Sequence, residues 1–208
     1  MPAILLGWYV SVLLMTRAKM LAALKSDVLH ASTALLGAVL VRGNRRARIV
    51  ETEAYRADDP GSHAFHGRTP RNDIMFGPPG FAYVYFNYGV HWMLNVTAHP
   101  SEDAAAILIR AAQPLEGLDE MFALRPRARK PEDLLSGPGK LAAAFDITGE
   151  DYGINLFDPS SSLRIEPGRA PTKILSGVRI GLAEGKGHEL PWRFVDGDAL
   201  QWISKPIK

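Results

Sequence analysis

Two glutamates lie one residue apart in the segment IVETEAY, residues 49–55, which otherwise has the character of a buried strand. In an extended chain, alternation places Glu51 and Glu53 on one face. The same alternation predicts that Ile49 and Tyr55 share that face. Carboxylates are seldom buried unless they are paired, so these two need a partner or a chemical function. A glutamate in this setting can act as a general base that activates water, with tyrosine and histidine shaping a pocket.

Metal binding is the other chemistry that this region allows. Acidic, basic and aromatic side chains crowd the segment: Glu51, Glu53, Tyr55, Asp58, Asp59, His63, His66, Arg68 and Arg71. However, it contains no H-x-x-x-H or H-E-x-x-H spacing, and its acids fall partly in a loop rich in glycine and proline. The chain also lacks cysteine, which excludes thiolate zinc sites and iron–sulfur clusters. We therefore expect no bound metal.

The segment FAYVYFNYGVHWMLNVTA predicts the clearest hairpin of the chain, with strands near residues 81–86 and 90–98. Its aromatic residues at Tyr83 and Trp92 are typical of a core. Tyr88 differs because it falls in the turn, where its own sheet offers little to pack against. An aromatic side chain in that position can act as a wedge between base pairs. A wedge, nearby arginines and a pocket with a glutamate are together what an enzyme needs to take a base out of DNA.

The elements that position these residues follow from local patterns. HASTALLGAVLVR predicts a helix running into a strand, capped by Ser32 or Thr33. NRRARIVETEAY predicts a hairpin with its turn in residues 42–46 and its return strand in residues 47–55. AAAILIRAAQPL, GVRIGLAEG and WRFVDG predict further strands, and PLEGLDEMFALR and GKLAAAFDI predict helices. The fold class is therefore α+β, built on an antiparallel sheet.

Composition sets wider limits. A chain of 208 residues with 47% hydrophobic content is long enough for one domain with a sizeable core. Its net charge of +2 is too small to indicate a nucleic-acid partner by itself. Residues 2–15 are mostly apolar, but this run is shorter than the ~20 residues that span a bilayer. We expect residues 1–20 to be an N-terminal extension and expect no membrane partner.

The long block RIVETEAY…SHAFHGRTPRNDIMFGPPGFAYVYFNYGVHWMLNV…ILIRAAQPLEG resembles the alkyladenine (3-methyladenine) DNA glycosylase family. LLSGPGKL and GVRIG, later in the chain, agree with it, and the resemblance runs from about Leu35 to near the C-terminus. It implies one domain, residues 21–208, with a curved antiparallel sheet, surrounding helices and a protruding hairpin that intercalates into DNA. It also implies a monomeric, cytoplasmic enzyme (nucleoid-associated if bacterial) that needs no cofactor and acts on double-stranded DNA containing damaged purines.

The resemblance also implies roles for individual residues. Glu53 corresponds to the catalytic glutamate, and Arg110 to the arginine that helps to place it and its water. The residues that correspond to the pocket for the flipped base are Tyr55, His63, Tyr85 and Asn95, of which the asparagine disfavours the exocyclic amine of guanine. Tyr88 corresponds to the tyrosine inserted into the minor groove.

Two further expectations concern the site, and two alternative functions stay open. Contacts to DNA phosphates are expected from Arg68, Arg71 and Lys140, the last at the start of a predicted helix. Glu51 has no catalytic counterpart and is expected to pair with an arginine, either Arg48 or Arg110. Two alternatives stay open: a metal-dependent nuclease or phosphodiesterase that uses Glu51, Glu53, Asp59 and His63, and a non-catalytic module that binds damaged DNA. A module that only binds has no need of a general base at Glu53.

Overall fold

One antiparallel sheet dominates the computed structural model, which describes residues 15–99 and 103–207. The strands are β1 (Val39–Arg42), β2 (Arg45–Arg56), β3 (Ala82–Asn87), β4 (His91–Thr97), β5 (Ala105–Glu116), β6 (Leu163–Glu166), β7 (Ile174–Gly177) and β8 (Arg193–Asp196). The α-helices are α1 (Arg17–Leu24), α2 (Val28–Ala34), α3 (Leu118–Leu124), α4 (Pro131–Leu135) and α5 (Pro138–Ala144). Short 3₁₀ helices occupy Asp73–Phe76, Gly149–Asp151 and Leu200–Trp202.

Strands β2 and β5 form the centre of the sheet. The order is β3-β4-β5-β2-β1-β6, and β8 also pairs with β2 and carries β7 on its other edge. The first part of β2 therefore pairs with β1, whereas residues 51–53 of the same strand pair with β8. This change of partner accompanies a sheet that curls into a half-barrel. The predicted α+β class with a single domain and a curved antiparallel sheet is confirmed.

The main core lies between the sheet and the helices. Its largest fully buried side chains come from both: Leu24, Leu35, Leu40, Ile107 and Phe145. Burying one such side chain contributes roughly 1.5–3 kcal/mol relative to leaving it in water. The helices thus cover one side of β2 and β5, which leaves the other side of these strands free to build a site.

A β-bulge in β2 decides which side chains reach that site. The register between β2 and β5 shifts between Ile49 and Glu51 and again before Thr52. Ile49 consequently packs in the same core cluster as Ala54, although strict alternation would place residues 49 and 54 on opposite faces of the strand. The prediction that Ile49 shares a face with Glu51 is therefore wrong, because the extra residue of a bulge reverses the alternation. Thr52 also faces the helices, with its hydroxyl donating to the Ser32 carbonyl at 3.0 Å.

The strand pairing of both predicted hairpins is observed, β1 with β2 and β3 with β4, although β2 already begins at Arg45, inside the predicted turn. Two local predictions are wrong. Helix α2 begins earlier than expected, since the Asp27 carboxylate accepts from the amides of Leu29 and His30 at 3.0 and 3.2 Å. Ser32 and Thr33 lie inside that helix and do not cap its start. GVRIG forms no strand beyond Gly177.

The N-terminal expectation falls largely outside the described residues, because positions 1–14 are not among them. Thr16 caps α1 by accepting from the Lys19 amide at 3.3 Å, and Met20 is fully buried in the core. Within residues 15–99 and 103–207, no helix is long and apolar enough to cross a membrane. The limit of the extension at residue 20 stays a prediction.

Candidate active site

Glu53 lies on the side of the sheet that the helices leave open, and three hydrogen bonds hold it there. It lies on β2 opposite Leu108 of β5, and its side chain is fully buried. One carboxylate oxygen, Oε2, accepts from the Tyr55 hydroxyl at 2.8 Å and from Arg110 Nη1 at 3.2 Å. The other, Oε1, accepts from the backbone amide of Ile180 at 2.7 Å. Three donors from separate parts of the chain therefore hold this group in one orientation.

Burial controls the acid–base properties of this group. Desolvation raises the pKa of Glu53 above its usual value. Arg110, the Ile180 amide and the Tyr55 hydroxyl oppose the rise, while the neighbouring Glu51 adds to it. Burial and the adjacent carboxylate also raise the pKa of Tyr55, which keeps its hydroxyl protonated as a donor. A carboxylate with a raised pKa is a stronger base than an exposed glutamate once it is ionised.

Glu51 is held by a separate set of donors. Its Oε1 accepts from Arg110 Nε at 3.2 Å, from Arg193 Nε at 2.7 Å and from the Ser204 hydroxyl at 2.7 Å. Its Oε2 accepts from the Ser204 amide at 2.6 Å. Pairing with Arg110 is confirmed, whereas Arg48 pairs instead with Asp196. Arg110 therefore bridges the two glutamates, and Glu51 fixes its guanidinium.

A cavity of about 280 Å³ opens in front of Glu53. The four residues predicted to surround a base come together on it: Tyr55, His63, Tyr85 and Asn95. Arg110 also lines it, whereas the fully buried Glu53 does not and adjoins the cavity through its bonds to Arg110 and Tyr55. Cavities that hold drug-sized ligands usually have about 300–1,000 Å³, so this one suits a smaller molecule.

Polar contacts fix the walls of the cavity. His63 Nδ1 lies 2.7 Å from the Tyr83 hydroxyl, and the imidazole stands edge-on to Tyr85 with ring centroids 4.6 Å apart. Desolvation and nearby Arg71 lower the pKa of His63, which favours the neutral imidazole. The Asn95 amide donates to the Tyr83 carbonyl at 3.1 Å. Tyr83 is buried as predicted, and its edge also lines the cavity.

The β3–β4 turn places Tyr88 at the mouth of this cavity. The turn closes with the Val90 amide donating to the Asn87 carbonyl at 3.1 Å. Both central residues have positive φ, 50° for Tyr88 and 67° for Gly89, as in type I′ hairpin turns. The Tyr88 side chain is 85% exposed. A bulky residue in the left-handed region is uncommon, and here it projects an aromatic ring into solvent beside the cavity.

Comparison with known proteins decides the family. Residues 22–199 match the family described as methylpurine-DNA glycosylase. The chain belongs to this family. Similar proteins include one from Agrobacterium fabrum, 47% identical over 183 residues that cover 88% of this chain and 90% of the relative. Another, from Rhodopseudomonas palustris, is 45% identical over 173 residues, which cover 83% and 81% respectively. Both carry the name "Putative 3-methyladenine DNA glycosylase".

The three basic residues expected to contact phosphates in this methylpurine-DNA glycosylase family member are all exposed. Arg71 is exposed and lies over the Tyr85 ring, 5.1 Å from its centroid. Arg68 pairs with Asp73 at 2.6 Å, and both side chains are more than half exposed. Because such surface pairs contribute only about 0–1 kcal/mol, Arg68 can readily exchange partners. Lys140 is exposed on α5, with its Nζ 3.0 Å from the Ser136 hydroxyl.

The side chains considered for a metal do not assemble. Among the described residues, no three histidine, aspartate or glutamate side chains form a group that could hold a metal ion. Asp59 pairs with Arg179, while Glu51 pairs with Arg110 and Arg193. The guanidinium groups thus occupy the positions around the carboxylates that a cation would require.

Sequence reasoning missed several contributors to the site. The most direct is Ile180, which acts through its backbone amide and carries no side-chain signal. Ser204 and Arg193, which hold Glu51, lie more than 140 residues from it in the chain. Only the motif GVRIG, which contains Arg179 and Ile180, had pointed to this region, through the family resemblance.

Proposed function

We propose that this protein flips damaged purines out of double-stranded DNA and hydrolyses their N-glycosidic bond. The observation that carries the proposal is the triple hydrogen bonding of buried Glu53 directly behind a small aromatic cavity. Membership of the methylpurine-DNA glycosylase family and the names of its relatives support the same chemistry. The substrates are purines altered by alkylation or deamination.

Flipping relies on the hairpin. Tyr88 enters the minor groove and fills the space that the extruded nucleotide leaves. Opening the base pair costs a few kcal/mol, and aromatic stacking returns about 1–3 kcal/mol per base. The exposed ring and its place at the cavity mouth support this role. Arg68, Arg71 and Lys140 contact the DNA phosphates and make binding dependent on salt.

Recognition of the base takes place in the cavity. The rings of Tyr55 and Tyr85 stack on the purine, and His63 hydrogen-bonds with it. Burial raises the pKa of Tyr85 to about 12, so its hydroxyl stays protonated at neutral pH. Asn95, held by the Tyr83 carbonyl, disfavours the exocyclic amine of guanine.

The chemical step is hydrolysis by activated water. Glu53 as a carboxylate deprotonates a water that attacks C1′, and its charge stabilises the oxocarbenium-like transition state. Arg110 places both the carboxylate and the water. Since Glu53 is enclosed in the free protein, water reaches it when DNA binding loosens its contact with Tyr55 or Arg110; catalytic hydrogen bonds commonly rearrange in this way on substrate binding.

The products follow from the residues around the cavity. None of its described lining residues is a lysine, so a Schiff-base route with strand cleavage has no nucleophile there. The reaction therefore releases a free base and leaves an abasic site. The protein acts as a monomer without a cofactor, in the cytoplasm and on nucleoid DNA if its source is bacterial.

A direct test uses duplexes that each carry one defined lesion: 3-methyladenine, 7-methylguanine, hypoxanthine or ethenoadenine. We expect base release in excess EDTA with the phosphodiester backbone intact. Glu53→Gln should abolish release but preserve binding to lesion DNA, because the shape of the side chain is kept and only the base is lost. Glu150→Gln, at an exposed position, is the matched control and should behave as wild type.

Each alternative has its own outcome in this experiment. Dependence on added Mg²⁺ or Zn²⁺, or cleavage of the backbone, would favour a metal-dependent nuclease. Tight binding to lesion DNA without any base release would favour a binding module. Release by Glu53→Gln at a rate near wild type would refute the catalytic assignment.

A further inference from the structure

A fully buried ion pair lies beside the cavity without lining it. Arg179 donates through Nη1 and Nη2 to the two carboxylate oxygens of Asp59, with Nη2 2.9 Å from Oδ1. Neither side chain has any exposed surface. The two residues are 120 positions apart in the chain, so their pairing joins the loop after β2 to the segment after β7. Burying two charges is costly unless each finds several partners.

Arg179 meets that requirement with two backbone carbonyls. Nη1 donates to the Ala54 carbonyl and Nη2 to the Gly187 carbonyl, each at 3.0 Å. Gly187 has a φ of +64°, and a Cβ there would lie 2.8 Å from both Arg179 Nη2 and Asp59 Oδ1. A side chain at this position would therefore collide with the ion pair. The backbone of Ala54 and Gly187 thus encloses the ion pair.

The same guanidinium supports one wall of the cavity. Its Cζ lies 4.6 Å from the ring centroid of Tyr55 and 5.2 Å from that of Trp192. A guanidinium over an aromatic face is attracted by the ring quadrupole. Tyr55 lines the cavity and donates its hydroxyl to Glu53. The position of Arg179 thus bears on the position of that ring.

The backbone next to the pair reaches the cavity and the catalytic carboxylate. Ile180 follows Arg179 and donates its amide to Glu53 Oε1 at 2.7 Å. On the other loop, Asp59 Oδ1 accepts from the amide of Gly61, which also lines the cavity. One ion pair is therefore joined to two of the loops that line the cavity.

We propose that Arg179, paired with Asp59, is a positioning residue for base excision that holds the Ile180 amide on Glu53 and the Tyr55 ring at the cavity wall. This inference rests on the proposed function of the site. Arg179 touches neither the base nor the water. It acts through the backbone that follows it and through the ring that it supports.

Two measurable effects follow when the pair is weakened. The segment after Arg179 shifts, and Glu53 loses a charge-assisted hydrogen bond, which should slow the chemical step by about tenfold to a hundredfold. The Ile180 amide is also one of the groups that lower the pKa of Glu53. Without it that pKa rises, and because the reaction needs the carboxylate, the acid limb of the rate profile moves to higher pH.

The test uses the double variant Asp59→Asn/Arg179→Gln, which replaces the charges by neutral hydrogen-bonding groups and leaves no orphan charge. The matched control is Arg42→Gln/Asp151→Asn. In that pair too an arginine donates from Nη1 and Nη2 to both oxygens of an aspartate and binds backbone carbonyls. Unlike Arg179, however, Arg42 neither supports the Tyr55 ring nor adjoins the residue whose amide bonds Glu53. Single-turnover excision is measured against pH on a hypoxanthine-containing duplex, together with DNA affinity and the melting temperature Tm.

We expect the Asp59/Arg179 variant to lose rate and to show the shifted acid limb, with DNA affinity within about threefold of wild type. The control should lower the Tm and leave the acid limb unchanged. Arg179→Lys keeps the charge opposite Asp59 but lacks the planar fork that also reaches the Ala54 and Gly187 carbonyls. Its excision rate should therefore lie between that of wild type and that of the Asp59/Arg179 variant. This single variant also serves as the test if the double variant does not fold.

Three outcomes would overturn the inference. The first is a wild-type rate and pH profile in the Asp59/Arg179 variant. The second is an equal loss of rate in both double variants with no shift of the acid limb, which would assign the pair to stability alone. The third is wild-type behaviour of Arg179→Lys where only that variant folds. Failure of the wild-type protein to release any base would instead refute the proposed function, and the inference with it.

Discussion

Replacing Tyr88 by alanine should separate DNA opening from folding. The side chain is 85% exposed, so its removal gives up little buried apolar surface. Alanine would keep the φ of 50° and its strain, which leaves the free energy of unfolding nearly unchanged. In the complex, however, loss of aromatic stacking removes about 1–3 kcal/mol. At 1.4 kcal/mol per factor of ten, excision from paired DNA should fall by roughly tenfold to a hundredfold.

The assay is single-turnover excision of one lesion placed in three settings: a fully paired duplex, a mismatch and a single strand. The loss should be largest in the paired duplex, because opening work is greatest there. Tyr88→Phe, which keeps the stacking surface, is the matched control and should stay near wild type. Tyr83→Ala provides the contrast, since that ring is 1% exposed and its truncation should mainly lower stability. An equal loss for Tyr88→Ala on all three substrates would show that the residue is not a wedge.

Two further predictions concern pH and the N-terminus. Because burial raises the pKa of Glu53, the excision rate should fall on acidification at a pH above the usual glutamate value of 4.5. A single-turnover pH profile whose acid limb lies at or below that value would contradict the assignment of Glu53 as the general base. Deleting residues 1–14 should leave activity and Tm unchanged. Deleting residues 1–19 removes the Thr16 cap, the first three residues of α1 and the core contact of Met15, so the enzyme should stay active but lose more than the ~0.5–2 kcal/mol that a cap contributes. Loss of folding after the shorter deletion would show that residues 1–14 belong to the core.

Local patterns in the sequence determine much of the scaffold. The β3–β4 hairpin follows from its alternating strands and from a turn of asparagine, tyrosine and glycine, in which Gly89 takes a positive φ at little cost. The exposure of Tyr88 follows from the same turn. The two glutamates of β2 indicate a functional site, because buried glutamates need partners. Long ordered motifs between Glu51 and Arg110 also indicate the family, which the match over residues 22–199 shows.

Only the tertiary structure decides which side chains face the site and what holds them. The alternation that groups Ile49 with Glu51 fails because the bulge arises from the pairing of β2 with β5, which strand-local reasoning does not contain. Backbone donors such as the Ile180 amide have no residue-type signature, so no composition or spacing reveals them. Asp59 meets Arg179 across 120 residues because the curled sheet brings their two loops together. The orientation of Glu53 is thus a product of long-range packing, whereas its presence on a buried strand can be read from seven residues.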